Sequence, residues 1–492
     1  MAILALVHFA TASRYDMYRN ELYFIVCGRH LDFGYVDQPP LVPWIAAVTQ
    51  LFGLNVWLLR LLPNLAAIAL IPLAASFARV LGGDQRSAWM AALAAGIAPL
   101  IMGFAATLST SSFEPLCWTL CAYLLARAVI RGELRMAIWL GVVAGIAMEA
   151  KYAIPFWLVG LAFGIAVTGA RRIIFTRELW LGIGAAVVIA APSLAWQHLH
   201  GWPFLELTRY LARDNVSSGT TVEFAALQIV GMNLALSPLI LAGIVAPFVF
   251  VRIREARFLS IAFVMTAVVI ISANGKDYYL APAYPTMFAV GAVVSGALPR
   301  LVRALWMTSA VIVSAILAPV VLPILNPPVL AAYLDTYHLR LKTNQKAGAG
   351  SPLTMVFSDE LGWRPLEQQV AAVYRTLTPA ERAHVAIWAS DYGEAAAIDV
   401  YGREDGLPHA LSSQLQYYYW GPGDYDGSII IQIHALAGAH HLCEHWETVG
   451  FFGSPYVIPW ENGPIIVCRG LRRPLTKIWE DLHPMRLAGR LS

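Results

Sequence analysis

Long apolar segments fill roughly the first 325 residues of this chain and constrain it more than any other feature. Each segment runs for about 20 residues, enough for a helix to cross the ~30 Å hydrocarbon core of a bilayer. Only 13% of all residues are charged and 58% are hydrophobic, with a mean hydropathy of +0.60, whereas soluble domains carry about 25% charged residues. The chain therefore needs lipid around much of its surface, which predicts a multispanning membrane protein.

The apolar segments do not alternate as strands do, and an open sheet cannot satisfy its backbone hydrogen bonds in lipid. We therefore predict about 11 membrane helices within residues 1–325. Ten spans are expected at Val56–Val80, Ala88–Leu108, Phe113–Ile130, Arg135–Ala150, Pro155–Ala170, Leu179–Trp196, Val222–Val251, Phe258–Ala273, Leu280–Leu298 and Ala304–Leu325. The run from Met1 to Thr11 is too short to span, at ~17 Å as a helix. It suggests a native start further upstream or an unusually short first helix, and it lacks the basic leader and cleavage site of a signal peptide.

The positions of arginine predict how the spans are oriented. Five connections between spans carry them: Arg86; Arg127, Arg131 and Arg135; Arg171, Arg172 and Arg177; Arg252, Arg254 and Arg257; Arg300 and Arg303. By the positive-inside rule this side is cytoplasmic. The first outer loop, residues 14–40, and the tail, residues 326–492, then face the periplasm of a bacterial inner membrane.

The tail has the composition of a soluble domain and is predicted to be an extracytoplasmic α/β domain. Its segment HVAIWASDYGEAAAIDVYG is typical of a strand, a turn and a helix, and GSIIIQIHALAG and GPIIVCRG are typical of further strands. In an oxidising compartment Cys443 and Cys468 could form a disulfide. The histidines around Cys443 have no metal-ligand spacing and are expected to be ordinary surface residues.

Charge and motifs exclude several other partners. The net charge is only +3 and no basic run stands out, so we predict no nucleic-acid binding. The tail contains neither a GxGxxG loop nor a P-loop. Carboxylates of the first outer loop could hold a divalent metal ion, but no ligand spacing demands one, so no cofactor is implied.

Ionisable residues collect in the outer connections, whereas a transporter is expected to carry some near mid-membrane. This distribution favours an enzyme that works on a lipid-phosphate substrate at the outer surface. Transfer of a group from such a carrier requires a carboxylate to take a proton from the acceptor hydroxyl. It also requires cations or hydrogen-bond donors for the phosphate leaving group. Candidates for the first role are Glu21 and Asp37, and candidates for the second are Lys151, Lys276, Arg209 and Arg213.

The stretch RNELYF…GYVDQPPLVPW resembles the first outer loop of glycosyltransferase family 39, which includes protein O-mannosyltransferases and transferases that place aminoarabinose on lipid A. The resemblance continues in order through STSSFEPLCW, EAKYAIPFW, WQHLHGWPFLEL, GKDYYLAPAYP, ASDYGEAAAIDVYG and YWGPGDYDG. It implies the multispanning GT-C fold, a polyprenyl-phosphate sugar as donor, and inversion at the anomeric carbon. The acceptor would be a hydroxyl of a protein, a lipid or a cell-envelope glycan.

The family's Asp–Glu pair in this loop falls on Asn20 and Glu21, and an amide cannot act as a general base. The second acidic position of the family is kept as Asp37, followed by Gln38 where aminoarabinose transferases tend to have lysine. The resemblance therefore moves the base role to Asp37, with Glu21 as orienter or alternate base.

For the donor phosphate, Lys151 and Lys276 match basic positions of the family, and we add Tyr279 and Arg209 to the predicted site. Simpler roles stay open. Lys151 could snorkel to the interface, and Tyr279 could be an interfacial belt residue. Lys276 could be a plain surface charge, and Arg209 with Arg213 could pair with Glu206 along a helix face.

Asp37 could likewise only cap the helix that follows Pro39 and Pro40, and Glu114 could only stabilise a helix N-terminus. At the level of function, two alternatives remain beside a transferase. One is a transporter or flippase of a lipid-linked substrate. The other is a catalytically silent relative that binds carrier lipid, which the amide at Asn20 keeps open.

Overall fold

A computed structural model describes residues 1–213, 221–339, 350–434 and 439–482. Sixteen helices precede the tail: α1 Ala2–Thr11, α2 Arg19–Arg29, α3 Leu41–Gln50, α4 Val56–Val80, α5 Gln85–Ile97, α6 Pro99–Ala106, α7 Glu114–Ile130, α8 Met136–Ala150, α9 Ile154–Ala166, α10 Arg177–Leu199, α11 Pro203–Arg213, α12 Thr221–Gly231, α13 Ser237–Val249, α14 Arg257–Ser272, α15 Tyr284–Ser295 and α16 Arg300–Val321. The predicted polytopic helical fold is confirmed.

Four helices in the described residues are long and apolar enough to cross a membrane: α4, α10, α14 with the turn before it, and α16. Three further pairs of helices, each bent by more than 40° at a short break, would raise the number to seven. Other predicted spans form shorter helices, such as α7 with 17 residues and α8 with 15. The total of about eleven spans stays a prediction.

Two predicted spans are broken helices rather than single straight ones. Ala88–Leu108 forms α5 and α6, which meet at 54° because Pro99 starts α6 and Ala98 before it is extended. Val222–Val251 contains a bend of 91° between α12 and α13. Asn233 makes this bend at φ 82°, and its side-chain amide donates to the Ala310 carbonyl at 2.8 Å. Asparagine is among the side chains found most often at positive φ.

In its described residues, the tail contains seven helices and a five-stranded sheet. The helices are α17 Pro327–Thr336, α18 Met355–Ser358, α19 Trp363–Thr376, α20 Pro379–Arg382, α21 Tyr392–Tyr401, α22 Leu415–Trp420 and α23 Leu475–Glu480. The strands are β1 Val385–Ala389, β2 Ala410–Ser412, β3 Ile429–Ile433, β4 Cys443–Phe452 and β5 Gly463–Leu471. Of these strands, β1, β3 and β5 lie in the segments predicted as strands, whereas β2 and β4 were not predicted.

The sheet has the order β2-β1-β3-β5-β4. Strand β1 pairs in parallel with β2 and β3, and β5 runs antiparallel to β3 and β4. Alternate residues of the central strands face opposite sides. One side packs on α19 and α21, and the other packs on α23, so helices cover both faces. Cys443 and Cys468 form a disulfide between β4 and β5, which leaves Cys443 unable to act as a metal ligand.

The first outer loop packs directly against the tail. Helix α2 is buried along most of its length, and its apolar side chains share one core with α19, α21 and the central strands. The loop and the tail therefore lie at the same end of the helical bundle.

A buried ion pair joins α2 to the bundle. Glu21 of α2 and Arg60 of α4 are both fully buried, and two nitrogens of Arg60 donate to the two Glu21 oxygens at 2.9 and 2.7 Å. Glu21 also accepts the backbone N–H of Leu108 at 2.7 Å and that of Tyr18 at 2.8 Å. This one carboxylate therefore holds together the start of α2, the outer part of α4 and the segment after α6.

Replacement of Arg60 with methionine is expected to lower the free energy of unfolding by about 3–5 kcal/mol, because Glu21 would keep a buried charge without its cation. Thermal unfolding of the detergent-purified protein measures the effect. The matched control is Arg79→Met, since Arg79 lies on the same helix but is exposed. Equal stability of the two variants would contradict this role of the pair.

Candidate active site

Asp37 lies in the segment between α2 and α3 and is held by one side chain of α2. The hydroxyl of Tyr23 donates to Asp37 Oδ1 at 2.9 Å, and that hydroxyl accepts the backbone N–H of Gln416 from the tail at 3.3 Å. Burial raises the pKa of Asp37 to about 6, although the Tyr23 hydrogen bond works against the rise. At neutral pH Asp37 is therefore mostly ionised, yet close enough to its pKa to accept and release a proton.

Asp37 does not act as a helix cap in this structure. Helix α3 begins at Leu41 after Pro40, and no side chain bonds to its first backbone N–H groups. The cap explanation that the sequence left open for Asp37 is therefore wrong.

The adjacent Gln38 side chain is unusual for its lack of partners. It is 1% exposed, and neither its Nε2 nor its Oε1 atom has a hydrogen-bond partner among the described residues. An amide buried without partners costs free energy unless a ligand or water satisfies it. Its position next to Asp37 therefore marks a place where a polar ligand group fits.

Asn20 and Glu21 have different surroundings from Asp37. Asn20 accepts a hydrogen bond from the Tyr392 hydroxyl of the tail at 2.8 Å, so it joins the loop to α21. Glu21 already accepts four hydrogen bonds through its two oxygens and has no exposed surface. This geometry favours Glu21 as an orienting residue over Glu21 as a base.

Lys151 follows the C-terminus of α8 and lies in a polar and aromatic cage. Its ammonium donates to Ser111 Oγ at 2.8 Å and to Glu114 Oε2 at 2.7 Å, and it lies 4.8 Å from the ring centre of Tyr279. Burial by itself lowers the pKa of Lys151, but Glu114, Tyr278 and Tyr279 together outweigh burial, so the pKa of Lys151 is raised. Lys151 is therefore a fixed positive charge, and Glu114, expected to serve a helix N-terminus, is its counter-ion.

Lys276 approaches the same cage from a distant part of the chain. The ring centre of Tyr278 lies 5.4 Å from the Lys151 ammonium and 5.9 Å from the Lys276 ammonium. Tyr278 and Tyr279 pack edge to face at 5.0 Å. The structure thus brings Lys151, Lys276 and Tyr279 together, as the predicted donor site requires.

Tyr152 directly follows Lys151, and its ring packs against Phe204 with 4.8 Å between the ring centres. Burial raises the pKa of Tyr152 to about 12, and the charge of Asp37 adds a smaller effect in the same direction. No described hydrogen bond, ion pair or ring contact joins Asp37 to the cage around Lys151.

Arg209 is not brought to this cage by any described contact. It lies on α11 and is exposed, while Leu207 and Leu211 of the same helix pack on the core shared by α2 and the tail. The side chain of Arg213 and residues 214–220 of the outer connection lie outside the description. A role for Arg209 in donor binding stays a prediction.

Two arginines that the sequence-based site did not include organise the loop. Arg60 is described above, and Arg19 of α2 reaches three carboxylates of the tail: Asp359 at 3.0 Å, Asp391 at 3.3 Å and Glu461 at 3.9 Å. Burial raises the pKa of Asp359 to about 7, although Arg19 opposes the rise. Arg60 could have been noticed as a lone charge inside an apolar span, whereas nothing near Arg19 in the sequence indicates partners 340 residues away.

No metal site is evident in the described ranges: no three His, Cys, Asp or Glu side chains are grouped so that they could hold an ion.

Comparison with known proteins agrees with this geometry. Residues 37–196 match the sequence model of the dolichyl-phosphate-mannose-protein mannosyltransferase family. The lipid A galacturonosyltransferase RgtD of Rhizobium johnstonii is 27% identical over 243 residues. That alignment covers 48% of this chain and 48% of the relative, so the match spans about half the length of each protein.

Two crystal structures of ArnT from Cupriavidus metallidurans share the fold. One is bound to undecaprenyl phosphate and one is in the apo state, and each superimposes with a TM-score of 0.60 over 95% of this chain and 96% of ArnT. The sequence identity is 14% in both cases, so this likeness shows the fold alone.

The fold is a polytopic helical membrane fold like that of ArnT. The resemblance to glycosyltransferase family 39 is confirmed by the family match, by the galacturonosyltransferase relative and by the fold shared with ArnT.

Removal of the Tyr23 hydroxyl is expected to shift the pH dependence of the site. In Tyr23→Phe the carboxylate of Asp37 loses a hydrogen bond that stabilises its charge, so its pKa rises further. The acid limb of the pH–rate profile should move up by roughly one pH unit. Tyr35→Phe is the control, because the Tyr35 hydroxyl bonds to backbone carbonyls rather than to Asp37. An unmoved limb in the Tyr23 variant would argue against Asp37 as the titrating group.

Proposed function

We propose that this protein is a glycosyltransferase that moves a sugar from a polyprenyl-phosphate donor to an acceptor hydroxyl at the outer face of a bacterial inner membrane, with inversion. The single observation that carries the proposal is the cage around Lys151, in which Ser111, Glu114 and the ring of Tyr279 hold the ammonium. The reaction needs a phosphate-binding cation, which this cage supplies, and a base, for which Asp37 with its raised pKa is the candidate.

The reaction follows from the roles of these groups. The ionised Asp37 takes the proton of the acceptor hydroxyl as that oxygen bonds to the anomeric carbon. The bond between this carbon and the phosphate oxygen breaks at the same time, and polyprenyl phosphate leaves. Direct displacement inverts the anomeric carbon. Asp37 Oδ1 already holds the Tyr23 hydroxyl, so Oδ2 is the oxygen that takes the proton.

The developing negative charge falls on the phosphate, which is where Lys151 and Lys276 act. Two of the three N–H donors of Lys151 are used by Ser111 and Glu114, and the third remains for a phosphate oxygen. The faces of Tyr278 and Tyr279 keep both ammonium groups in place. Glu114 offsets part of the positive charge of the site. The phosphate binds to donors that are already held in place and need little rearrangement.

Orientation is supported by two independent features. The arginine-rich connections predict a cytoplasmic side opposite to the loop and the tail. The disulfide between Cys443 and Cys468 fits a tail in an oxidising compartment such as the periplasm.

The donor sugar and the acceptor are proposed by class. Mannose and aminoarabinose donors follow from the family resemblance, and the name of the relative adds galacturonate as donor sugar and lipid A as acceptor. A panel of undecaprenyl-phosphate sugars with lipid A, a peptide and a glycan acceptor tests these classes, with release of undecaprenyl phosphate as the readout. Movement of the donor across vesicles without its release would support a transporter instead.

Asp37→Asn is expected to lower the transfer rate by about 10²- to 10⁴-fold, the usual contribution of a general base. Stability should not fall at pH 7. A carboxyl whose pKa is raised from 3.8 to about 6 on folding destabilises the folded state as pH rises through that interval, and the amide removes this effect. Transfer rate and melting temperature are measured together. Asp32→Asn, in the same loop, is the control, and full turnover by Asp37→Asn would remove Asp37 from the mechanism.

The role of Lys151 is tested by binding of undecaprenyl phosphate. Lys151→Met alone would leave Glu114 without its counter-ion, so the double variant Lys151→Met/Glu114→Gln is used beside it. Both are expected to bind the lipid phosphate about tenfold or more weakly, because a charge-assisted hydrogen bond is lost. Lys477→Met, which affects an exposed pair with Glu480, is the control. Unchanged affinity in the double variant would contradict the phosphate assignment.

A further inference from the structure

A small polar cavity, whose lining does not include Asp37 or Lys151, lies where the tail meets the outer end of the bundle. Its volume is about 190 Å³, and its lining comes from residues 13–17, from the turn before α4 and from the tail. Cavities for drug-sized ligands measure about 300–1,000 Å³. This one therefore suits a small polar group such as a lipid headgroup.

The charges in this cavity are arranged around one tyrosine. The guanidinium of Arg364 lies over the ring of Tyr401 at 4.2 Å from its centre, and the Tyr401 hydroxyl donates to Asp16 Oδ1 at 2.6 Å. Arg364 is exposed and forms no ion pair with a described carboxylate, although its charge opposes the rise in the pKa of Glu367 on the same helix. Asp16 is half-buried, and its Oδ2 accepts no hydrogen bond from a described residue. The cavity thus presents a cation over the ring of Tyr401 and a carboxylate at the hydroxyl of the same tyrosine.

A single headgroup complements both charges only if it is itself zwitterionic. A simple anion would meet the Asp16 carboxylate, and a simple cation would meet the Arg364 guanidinium. A phosphoethanolamine group carries a phosphate for Arg364 and a primary ammonium for Asp16. Because the ammonium has N–H donors, it can hydrogen-bond to the free Asp16 oxygen, which a trimethylammonium group cannot do.

The surroundings of the cavity indicate that the headgroup belongs to a membrane lipid. Leu54 and Val56 line the cavity, and the neighbouring Leu51 and Phe52 are 80% and 72% exposed. Trp57, 43% exposed, stands at the start of α4, where aromatic residues occupy the membrane–water interface. Acyl chains of a bound lipid would cover these apolar side chains, beside Phe9 of α1, which stacks on Trp57.

We propose that this cavity is a regulatory or structural binding site for a phospholipid with a phosphoethanolamine headgroup, separate from the donor site. The lipid would join residues 13–17, the start of α4 and helices α19 and α21, and so stabilise the contact between the tail and the membrane bundle. The site would be filled whether or not the transferase proposal holds, because none of its charged groups takes part in that reaction.

Native mass spectrometry of the delipidated full chain tests the proposal by titration with dioleoyl phosphatidylethanolamine, phosphatidylcholine and phosphatidylglycerol. The ethanolamine lipid is expected to bind about tenfold more tightly than the other two, the difference made by one charge-assisted hydrogen bond. Arg364→Gln should weaken its binding by about tenfold, and Asp16→Asn should abolish its advantage over phosphatidylcholine. Arg364→Lys, which keeps the charge, should retain most of the affinity.

The matched control is Arg375→Gln, since Arg375 is exposed on the same helix and pairs with Asp405 at 2.8 Å. Melting temperatures identify any variant that is misfolded. The Asp16→Asn variant still accepts the hydrogen bond of the Tyr401 hydroxyl. This variant therefore tests the proposal even if Arg364→Gln is unstable. Equal binding of the three lipids would overturn the proposal. Binding of glycerophosphoethanolamine as tight as that of the lipid would overturn a membrane source.

Discussion

Three parts of the chain meet at the buried ion pair of Arg60 and Glu21, and the position of the candidate site depends on it. The pair fastens the start of α2 to the first long helix, and Glu21 also accepts the backbone N–H of Leu108. A charge of either sign left alone at this depth would cost several kcal/mol. Because α2 also carries Tyr23, the hydroxyl that holds Asp37 is placed through this pair. The proposed base is thus positioned through a second carboxylate, which is already occupied by four hydrogen bonds.

The same helix is tied to the tail by charge as well as by packing. Arg19 faces Asp359, Asp391 and Glu461, so three carboxylates share one guanidinium in a buried region. Burial raises the pKa of all three carboxyl groups, to about 7 for Asp359. The first outer loop is therefore joined to the tail by buried ion pairs as well as by apolar packing. Asp37 belongs to this loop, whereas Lys151 and Lys276 come from other parts of the bundle.

The two proposed lipid sites differ in their charges. The cage of Lys151 and the two tyrosines has Glu114 as the counter-ion of its ammonium, and the proposal assigns a phosphate to the remaining positive charge. The cavity at Arg364 and Asp16 has one cation and one carboxylate, and the proposal assigns a zwitterionic headgroup to it.

Membrane embedding, the polar tail and the acidic first loop follow from the sequence alone. Hydropathy and composition are local properties of the chain, and they determine helix length and solvent exposure directly. The resemblance to glycosyltransferase family 39 also proposed roles for Asp37, Lys151 and Lys276 before any coordinates. The bend at Asn233, the short strand β2 and the strand β4 were missed, since a broken helix has the same hydropathy as a straight one and short strands have weak periodicity. Only the tertiary structure decided that Glu21 pairs with Arg60, that Glu114 pairs with Lys151, and that Arg19 pairs with carboxylates of the tail. Such pairings depend on which charges are buried together, and that is a property of the packed chain that no local pattern in the sequence contains.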